Sequence, residues 1–547
     1  MSETTVYSAR KIITMNRYCS QASHVAVRDG RILGVGDLAT LAGWGGYTLD
    51  DRFADKVLMP GFVEGHCHLM EGSIWRYVYV GYHPRVGPDG HHHDGLGSID
   101  DVVARLQQAE GELGDADTPL VGWGFDPIFF GGRRMDRGDL DRVSATRPVV
   151  VIHSNFHVIN VNGAVLERGG ITSTTNVDGV VKDADGQPNG ELQEMAAKFM
   201  ALNTIGLDYF AETSEAAALE NFGRIAVRTG VTTATDLVNP LTDPVLEGLL
   251  TVTGRDDYPV RLAPAFHGAS MPAADGAERV LKLRRRSTDK LRIGVVKLVT
   301  DGSIQGFTGR LKWPGYYNGA PNGVWNVGPE ELEATLEAYH RAGLQVYIHT
   351  NGDEASELAI DAVEAVTARH PWRDHRHTLQ HCQMADEAQF RRMAALGMCV
   401  NLFANHIYYW GDEHFAKTMG PDRALRMDAA ATAQRLGVPY ALHSDAPVTP
   451  LGPLFTAWCA VNRLTTCGRV LGAQECIGVD DALAAITLGA AYTMRLDHEV
   501  GSIEVGKRAD FAVLEADPQG VPAAELKDVP VWGTVLGGRA FEAGAGD

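Results

Sequence analysis

Nowhere do the 547 residues run to about 18 uninterrupted apolar positions, so no membrane-spanning helix is expected. The opening stretch MSETTVYSARKIITMN has no apolar core behind a basic segment, which argues against a secretory signal. Cysteine is sparse: Cys19, Cys67, Cys382, Cys399, Cys459, Cys467 and Cys476 are scattered, odd in number and never spaced C-x-x-C. That is the usage of a reduced, cytoplasmic protein and not of a disulfide scaffold. Positive charge is also short, with 49 Lys and Arg against 69 Asp and Glu, a net charge of −20. Phosphate backbones need a positive surface, so nucleic acid is excluded as an expected partner. What is present, 45% apolar and 22% charged residues, is ordinary for a globular protein. Five hundred residues exceed one small core, so a large domain with additions is expected.

Both ends of the chain read as short β-runs. Residues 4–58 contain TVYSARKIITMN, SHVAVRDGRILGVGD and KVLMPGF, with a turn at Arg28-Asp29-Gly30. Residues 500–518 and 529–544 repeat that style. Between the ends, eight apolar strand candidates alternate with helical patterns: 57–66, 231–238, 260–266, 293–302, 344–350, 377–382, 398–403 and 439–445. The expected fold is α/β: a (β/α)8 TIM barrel over 59–499, with a small β-sandwich domain built from 1–58 and 500–547. Residues 70–225 do not fit one βα unit and carry strands of their own, PLVGWGF and RPVVVIHSN. They read as a large insertion after barrel strand one, on the side where barrel active sites lie. Three consecutive histidines in GPDGHHHDGLG (87–97) read as a solvated Gly-rich loop.

Barrel enzymes keep their chemistry at the C-terminal ends of the strands. The run PGFVEGHCHLM (60–70) ends strand one in His66 and His68, which share a side if the run is extended. Strand four carries Lys297, strand five ends in His349, strand six in His381 and strand eight in Asp445. One buried histidine is commonplace, but metal-holding residue types at five strand ends point to a metal centre. Lys297 lies among Val295, Val296, Leu298 and Val299, in a strand that a barrel buries on both faces. Burial strips the proton from such an amine. A neutral amine between two metals can take up CO2 as a carbamate, giving an N6-carboxylysine whose two oxygens bridge the ions. Cys67 and Cys382, beside these histidines, read as packing residues.

At these residues the chain resembles the amidohydrolase superfamily: PGFVEGHCH, Lys297, HTNGD (349–353), QHCQM (380–384), HSDAP (443–447) and the tail GSIEVGKRADFAVL. More narrowly it is similar to the YtcJ-like branch that includes N-substituted formamide deformylases. VGWGFD, HVINVNGAVLERGGI, DGQPNGELQE, GVTTATD and VKLVTDGSIQG carry that likeness along nearly the whole chain. The resemblance implies that His66, His68 and Asp445 bind one metal, and that carboxylated Lys297 bridges to a second held by His349 and His381. It also implies that His157 and Asn162 line the substrate pocket. Two places depart from the branch: His443 stands where it usually has glycine, and Asn405–His406 where it has a Gln-Pro pair. Both changes alter the pocket wall next to the ligands.

Two divalent ions sharing a water lower its pKa enough to give a nucleophile near neutral pH. Asp445, beside both, is placed as the catalytic group that passes a proton from that water to the leaving amine. Histidine and carboxylate donors suit Zn2+ best. The expected activity is hydrolysis of a carbon–nitrogen bond, amide, N-formyl or related, in a small-molecule substrate. Aromatic residues crowd the mouth loops, Phe307 and Trp313 among them, which favours an apolar or aromatic substrate. Two other readings compete. A mononuclear deaminase of a cyclic substrate uses a glutamate shortly after the strand-five histidine, where this chain has Asp353, and leaves Lys297 without a task. A non-catalytic metal-binding barrel would not need Asp445 as a proton carrier. No membrane partner is expected, and self-association into a homo-oligomer is compatible with every reading.

Overall fold

The computed structural model describes residues 3–43, 45–115 and 117–544. Eight parallel strands follow one another in sequence order: β1 (Phe62–Glu64), β2 (Val231–Asn239), β3 (Arg261–His267), β4 (Val295–Val299), β5 (Gln345–Thr350), β6 (Thr378–His381), β7 (Cys399–Leu402) and β8 (Tyr440–Leu442). This is a nearly closed TIM-type barrel, as the alternating runs led us to expect. The strands are apolar and buried on both faces because helices cover the outside and side chains fill the inside. The covering helices carry ordinary end signals. In α1 (Pro329–Arg341), Pro329 opens the helix, Glu330 and Glu331 lie in the first turn, and His340 and Arg341 in the last. Its buried side, Leu332, Leu336 and Tyr339, faces the barrel core.

Strand β1 is shorter than the run 57–66 suggests. Val57–Pro60 instead ends the strand Thr48–Pro60 of another sheet. Gly61 joins the two, and only glycine fits, since a Cβ there would lie 2.0 Å from Thr232 Oγ1. β1 and β8 are the two edges of the barrel sheet and do not pair directly. Contacts just beyond their ends close the seam: Asp445 N donates to His66 O at 3.1 Å, and His68 N to Ala446 O at 2.7 Å. The Glu64 carboxyl adds to them, accepting from Ser444 Oγ at 2.8 Å and from Ser444 N at 3.3 Å.

The two ends of the chain share one mixed sheet of seven strands, running from Arg539–Glu542 through Phe511–Leu514, Thr48–Pro60 and Thr5–Ile13 to Arg31–Gly36. Where a small β-sandwich was expected, all seven strands belong to one hydrogen-bonded sheet with a core of its own. Tyr7, Val25, Val27, Ile32, Phe53, Phe511, Val513 and Val535, drawn from both flanks, meet in that core. Between β1 and β2 lies a separate six-stranded sheet, from Val78–Tyr79 to Pro188–Gln193, with its own core around Trp123, Ile152 and Leu192. Its loop at 155–157 reaches over the mouth of the barrel. Among the described residues, no helix is long and apolar enough to cross a membrane.

A buried ion pair fastens the end sheet to the barrel. Arg261 of β3 donates through Nε to Asp510 Oδ2 at 2.6 Å and through an Nη to Oδ1 at 3.1 Å. Asp510→Ala would leave that guanidinium only Asp289, whose Oδ2 it meets at 2.8 Å. The cost should therefore fall below the ~3–5 kcal/mol of a buried charge left with no partner. Urea unfolding should move to lower denaturant by a corresponding amount; an unchanged curve would mean that the joint carries no such load.

Candidate metal centre

The centre lies inside the C-terminal end of the barrel. Six residues singled out in the sequence, His66, His68, Lys297, His349, His381 and Asp445, line one cavity together with His157 and Asn155 of the insertion. Met70, Phe156, Met195, Phe210, Val238, Val299 and Val448 supply its apolar wall. His66 and His68 sit just past the end of β1 and converge on one carboxylate oxygen. Asp445 Oδ1 is 3.1 Å from His66 Nε2 and 3.4 Å from His68 Nε2. Asp445 Oδ2 lies 4.0 Å from His381 Nε2, and that nitrogen is 3.1 Å from His349 Nδ1.

The backbone is bent to achieve this. His381 and Asp445 adopt left-handed conformations, with φ of +66° and +52°. Such residues are uncommon outside glycine and collect at functional sites. In an unbroken strand Gln380 and His381 would point to opposite faces. The left-handed turn at His381 lets both reach inward, as the contacts of Gln380 Oε1 with His66 Nδ1 and of His381 with His349 show.

Hydrogen-bond partners fix where the ring protons are. His66 Nδ1 lies 2.8 Å from Gln380 Oε1, and His68 Nδ1 lies 2.9 Å from Leu237 O. Both partners only accept, so each Nδ1 carries the proton and each Nε2 of a neutral ring is left bare. His349 Nε2 lies 3.3 Å from Gly302 O and 3.2 Å from Asn351 Nδ2. With the Asn351 amide donating to Gly302 O at 2.8 Å, a proton on Nε2 directed at that carbonyl leaves Nδ1 bare. Burial keeps His66, His349 and His381 neutral. It lowers His66 to about 4 and holds His349 and His381 well below the ordinary imidazole value. Burial raises the Asp445 carboxyl, and His66 and His68 lower it only as charged rings; against bare nitrogens its charge needs a cation. Bare nitrogens thus face an ionised oxygen that accepts no hydrogen bond. Lone pairs packed this closely repel one another unless a cation lies among them. The donor set fits divalent metal.

Lys297 completes the picture. Its side chain is 1% exposed and its Nζ has no hydrogen-bond partner among the described residues. Burial, opposed by the charge of Asp445, lowers its pKa to about 7. An amine so placed is an unsatisfied buried group, costly unless the centre uses it.

Three residues expected to meet substrate do not line this cavity. Asn162 is wholly buried in the insertion, where its oxygen caps the helix Gly163–Arg168 and accepts from Val149 N, while its amide donates to Ser144 O and Arg147 O. Every polar atom is committed to holding the chain. Phe307 packs on Tyr316, ring centroids 5.1 Å apart, within a separate core cluster. Trp313 is 95% exposed. His157 does line the cavity, oriented by a 2.8 Å contact from its Nδ1 to Glu194 Oε2. The histidines of the loop at 87–97 lie outside the cavity, two of them in a short two-stranded ribbon. Residues the sequence reading passed over surround the ligands instead: Glu64, Gln380 and Asn401, together with Asp301, whose carboxylate accepts from Arg310, Asn351 and Gly352 N and so fixes the turn after β5.

Comparison with known proteins agrees with this geometry. Residues 54–541 match the Amidohydrolase family. The chain is 27% identical to the putative amidohydrolase YtcJ of Bacillus subtilis, over 96% of this chain and 97% of that one. It is 26% identical to the N-substituted formamide deformylase of Arthrobacter pascens, over 95% and 94% of the two chains. In fold it is similar to an uncharacterized metal-dependent hydrolase from Pyrococcus horikoshii, with a TM-score of 0.71 and 21% identity over 95% of this chain and 99% of that one. The chain belongs to the amidohydrolase family and is a hydrolase acting on carbon–nitrogen bonds.

Proposed function

We propose that this protein cleaves the amide, N-formyl or related bond of a small apolar or aromatic substrate at a centre of two divalent ions. One observation carries the reading: bare ring nitrogens gather in two groups, His66 and His68 with Asp445 Oδ1, and His349 with His381, and all line one cavity with the buried Lys297 amine. His66, His68 and Asp445 would hold one ion, and His349 and His381 the other, with Lys297 as its carbamate between them. Nitrogen and carboxylate donors suit zinc. When bound, such ions supply an activated water and polarise the scissile carbonyl. The chain's own groups do the rest. Asp445, close to both groups of ligands, accepts a proton from the water and delivers it to the leaving nitrogen. His157, with Nδ1 committed to Glu194, is left with Nε2 to hold a polar atom of the substrate. The methionine, phenylalanine and valine wall excludes water and favours an apolar substituent. The likeness to a formamide deformylase supports a small acyl group on nitrogen.

The mononuclear deaminase reading has less support. Its acidic position falls at Asp353, whose carboxylate already accepts from Lys312 N at 2.9 Å.

Elemental analysis of gently purified protein should find close to two divalent ions per chain. The same protein should release amine from members of a panel of apolar amides, formamides and carbamates. A reproducible content of one ion, unchanged by added zinc or manganese, would instead favour the deaminase reading.

A further inference from the structure

His381 offers a bare Nε2 to the cavity only if its Nδ1 holds the proton, and the atom behind it decides this. His381 Nδ1 lies 3.1 Å from His443 Nε2. His443 Nδ1 lies 3.1 Å from Asn401 Oδ1, and Asn401 Nδ2 donates to Gln380 Oε1 at 3.1 Å. The same Gln380 oxygen accepts from His66 Nδ1 at 2.8 Å. Asn401 Oδ1 can only accept, so His443 Nδ1 is the donor and its Nε2 is an acceptor. His381 Nδ1 must then donate to it. Gln380 Oε1 spends both lone pairs, one on each neighbour. The chain His381, His443, Asn401, Gln380 and His66 is therefore satisfied at every link, with all five residues buried.

His443 stands behind the ligands. It is fully buried, lines no part of the metal cavity, and stacks on His66 with ring centroids 4.4 Å apart and planes 11° from parallel. We propose that His443 is a positioning residue, and that its relay fixes the tautomer and ring direction of one ligand in each half of the centre. The two halves are thereby coupled through Gln380, which is the cross-strand neighbour of Asn401 in the barrel sheet. A competing role is open to His443 on distance alone: a ring nitrogen of His66, of His381 and of His443 and an Asp445 oxygen lie within 4.8 Å of one another. Its absence from the cavity wall favours the relay.

The proposal rests on the metal reading above, and the test separates the two. Zinc affinity is measured by titrating metal-free protein against a competing chelator, with bicarbonate present. His443→Phe keeps a flat ring on His66 but removes the acceptor, and should weaken zinc about 10–100-fold, the usual effect of losing a group that orients a ligand. His443→Gln keeps an oxygen acceptor for His381 Nδ1 and should recover most of that loss. Asn401→Leu breaks the relay one link farther away, should lose as much as the phenylalanine variant, and carries the test if that variant does not fold. Affinity within about twofold of the parent in the phenylalanine and leucine variants would overturn the relay while leaving the metal reading intact. Equal losses in the phenylalanine and glutamine variants would also overturn it, in favour of a direct ligand. A parent that binds no zinc would overturn both.

Discussion

Asp445→Asn should keep its metal and lose turnover by at least about 10²–10⁴-fold, the range that general acid–base steps contribute. The amide retains size and an oxygen donor where Oδ1 now faces His66 and His68 at 3.1 and 3.4 Å. It cannot take up the proton. Asparagine also tolerates the left-handed backbone at this position, so the exchange adds no strain. His66→Ala should behave differently, losing metal and activity together, because its Nε2 is removed and the nearest ring, His443, keeps its own Nε2 on His381 Nδ1. Turnover measured alongside metal content distinguishes the two variants. An Asp445→Asn enzyme within a few-fold of the parent would assign the proton transfer to another group.

Under the two-ion proposal, Lys297→Ala should cost one ion and reduce activity roughly 10³-fold. An ion's charge stabilisation of several kcal/mol, at about 1.36 kcal/mol per tenfold, gives that figure. The side chain fills the floor of the cavity with no partner for its amine, so its removal leaves a space the length of a short acid. Acetate or propionate should occupy that space and restore part of both metal and activity. A variant with full activity and two ions would end the bridging role. Rescue of neither quantity by any short acid, in a folded variant, would count against a carbamate.

Much of this was legible in the sequence because barrel strands announce themselves twice. They are largely apolar, and several carry at or just past their ends a residue too polar for a core, as with His349, His381 and Asp445. Boundaries were less legible. Val57–Pro60 and Phe62–Glu64 form one apolar run, and only the close approach of Thr232 to Gly61 reveals two strands. Asn162, Phe307 and Trp313 were misplaced because composition cannot tell an aromatic or amide that lines a pocket from one that caps a helix or meets solvent. The relay was missed for the opposite reason. Gln380 and Asn401 are polar residues inside TLQH and CVNL, a visible anomaly, but their partnership depends on the register of β6 against β7. His443 showed only as a departure from the branch pattern.

The seam at β1 has a consequence for the order of events during synthesis. β1 enters the barrel directly from Gly61, whose N donates to Asp510 O, and Pro60 pairs with Phe511. The strand bearing His66 and His68 is thus clamped at its start by residues made some 450 positions later. Contacts this distant in sequence form late, because closing so long a loop must precede any gain from it. At ribosomal rates of about 5–20 residues per second, the nascent chain spends roughly 20 to 90 seconds with His66 and His68 made and their strand not yet clamped. Under the proposed metal reading, cation capture is therefore a late event, waiting on the arrival of the final sheet strands.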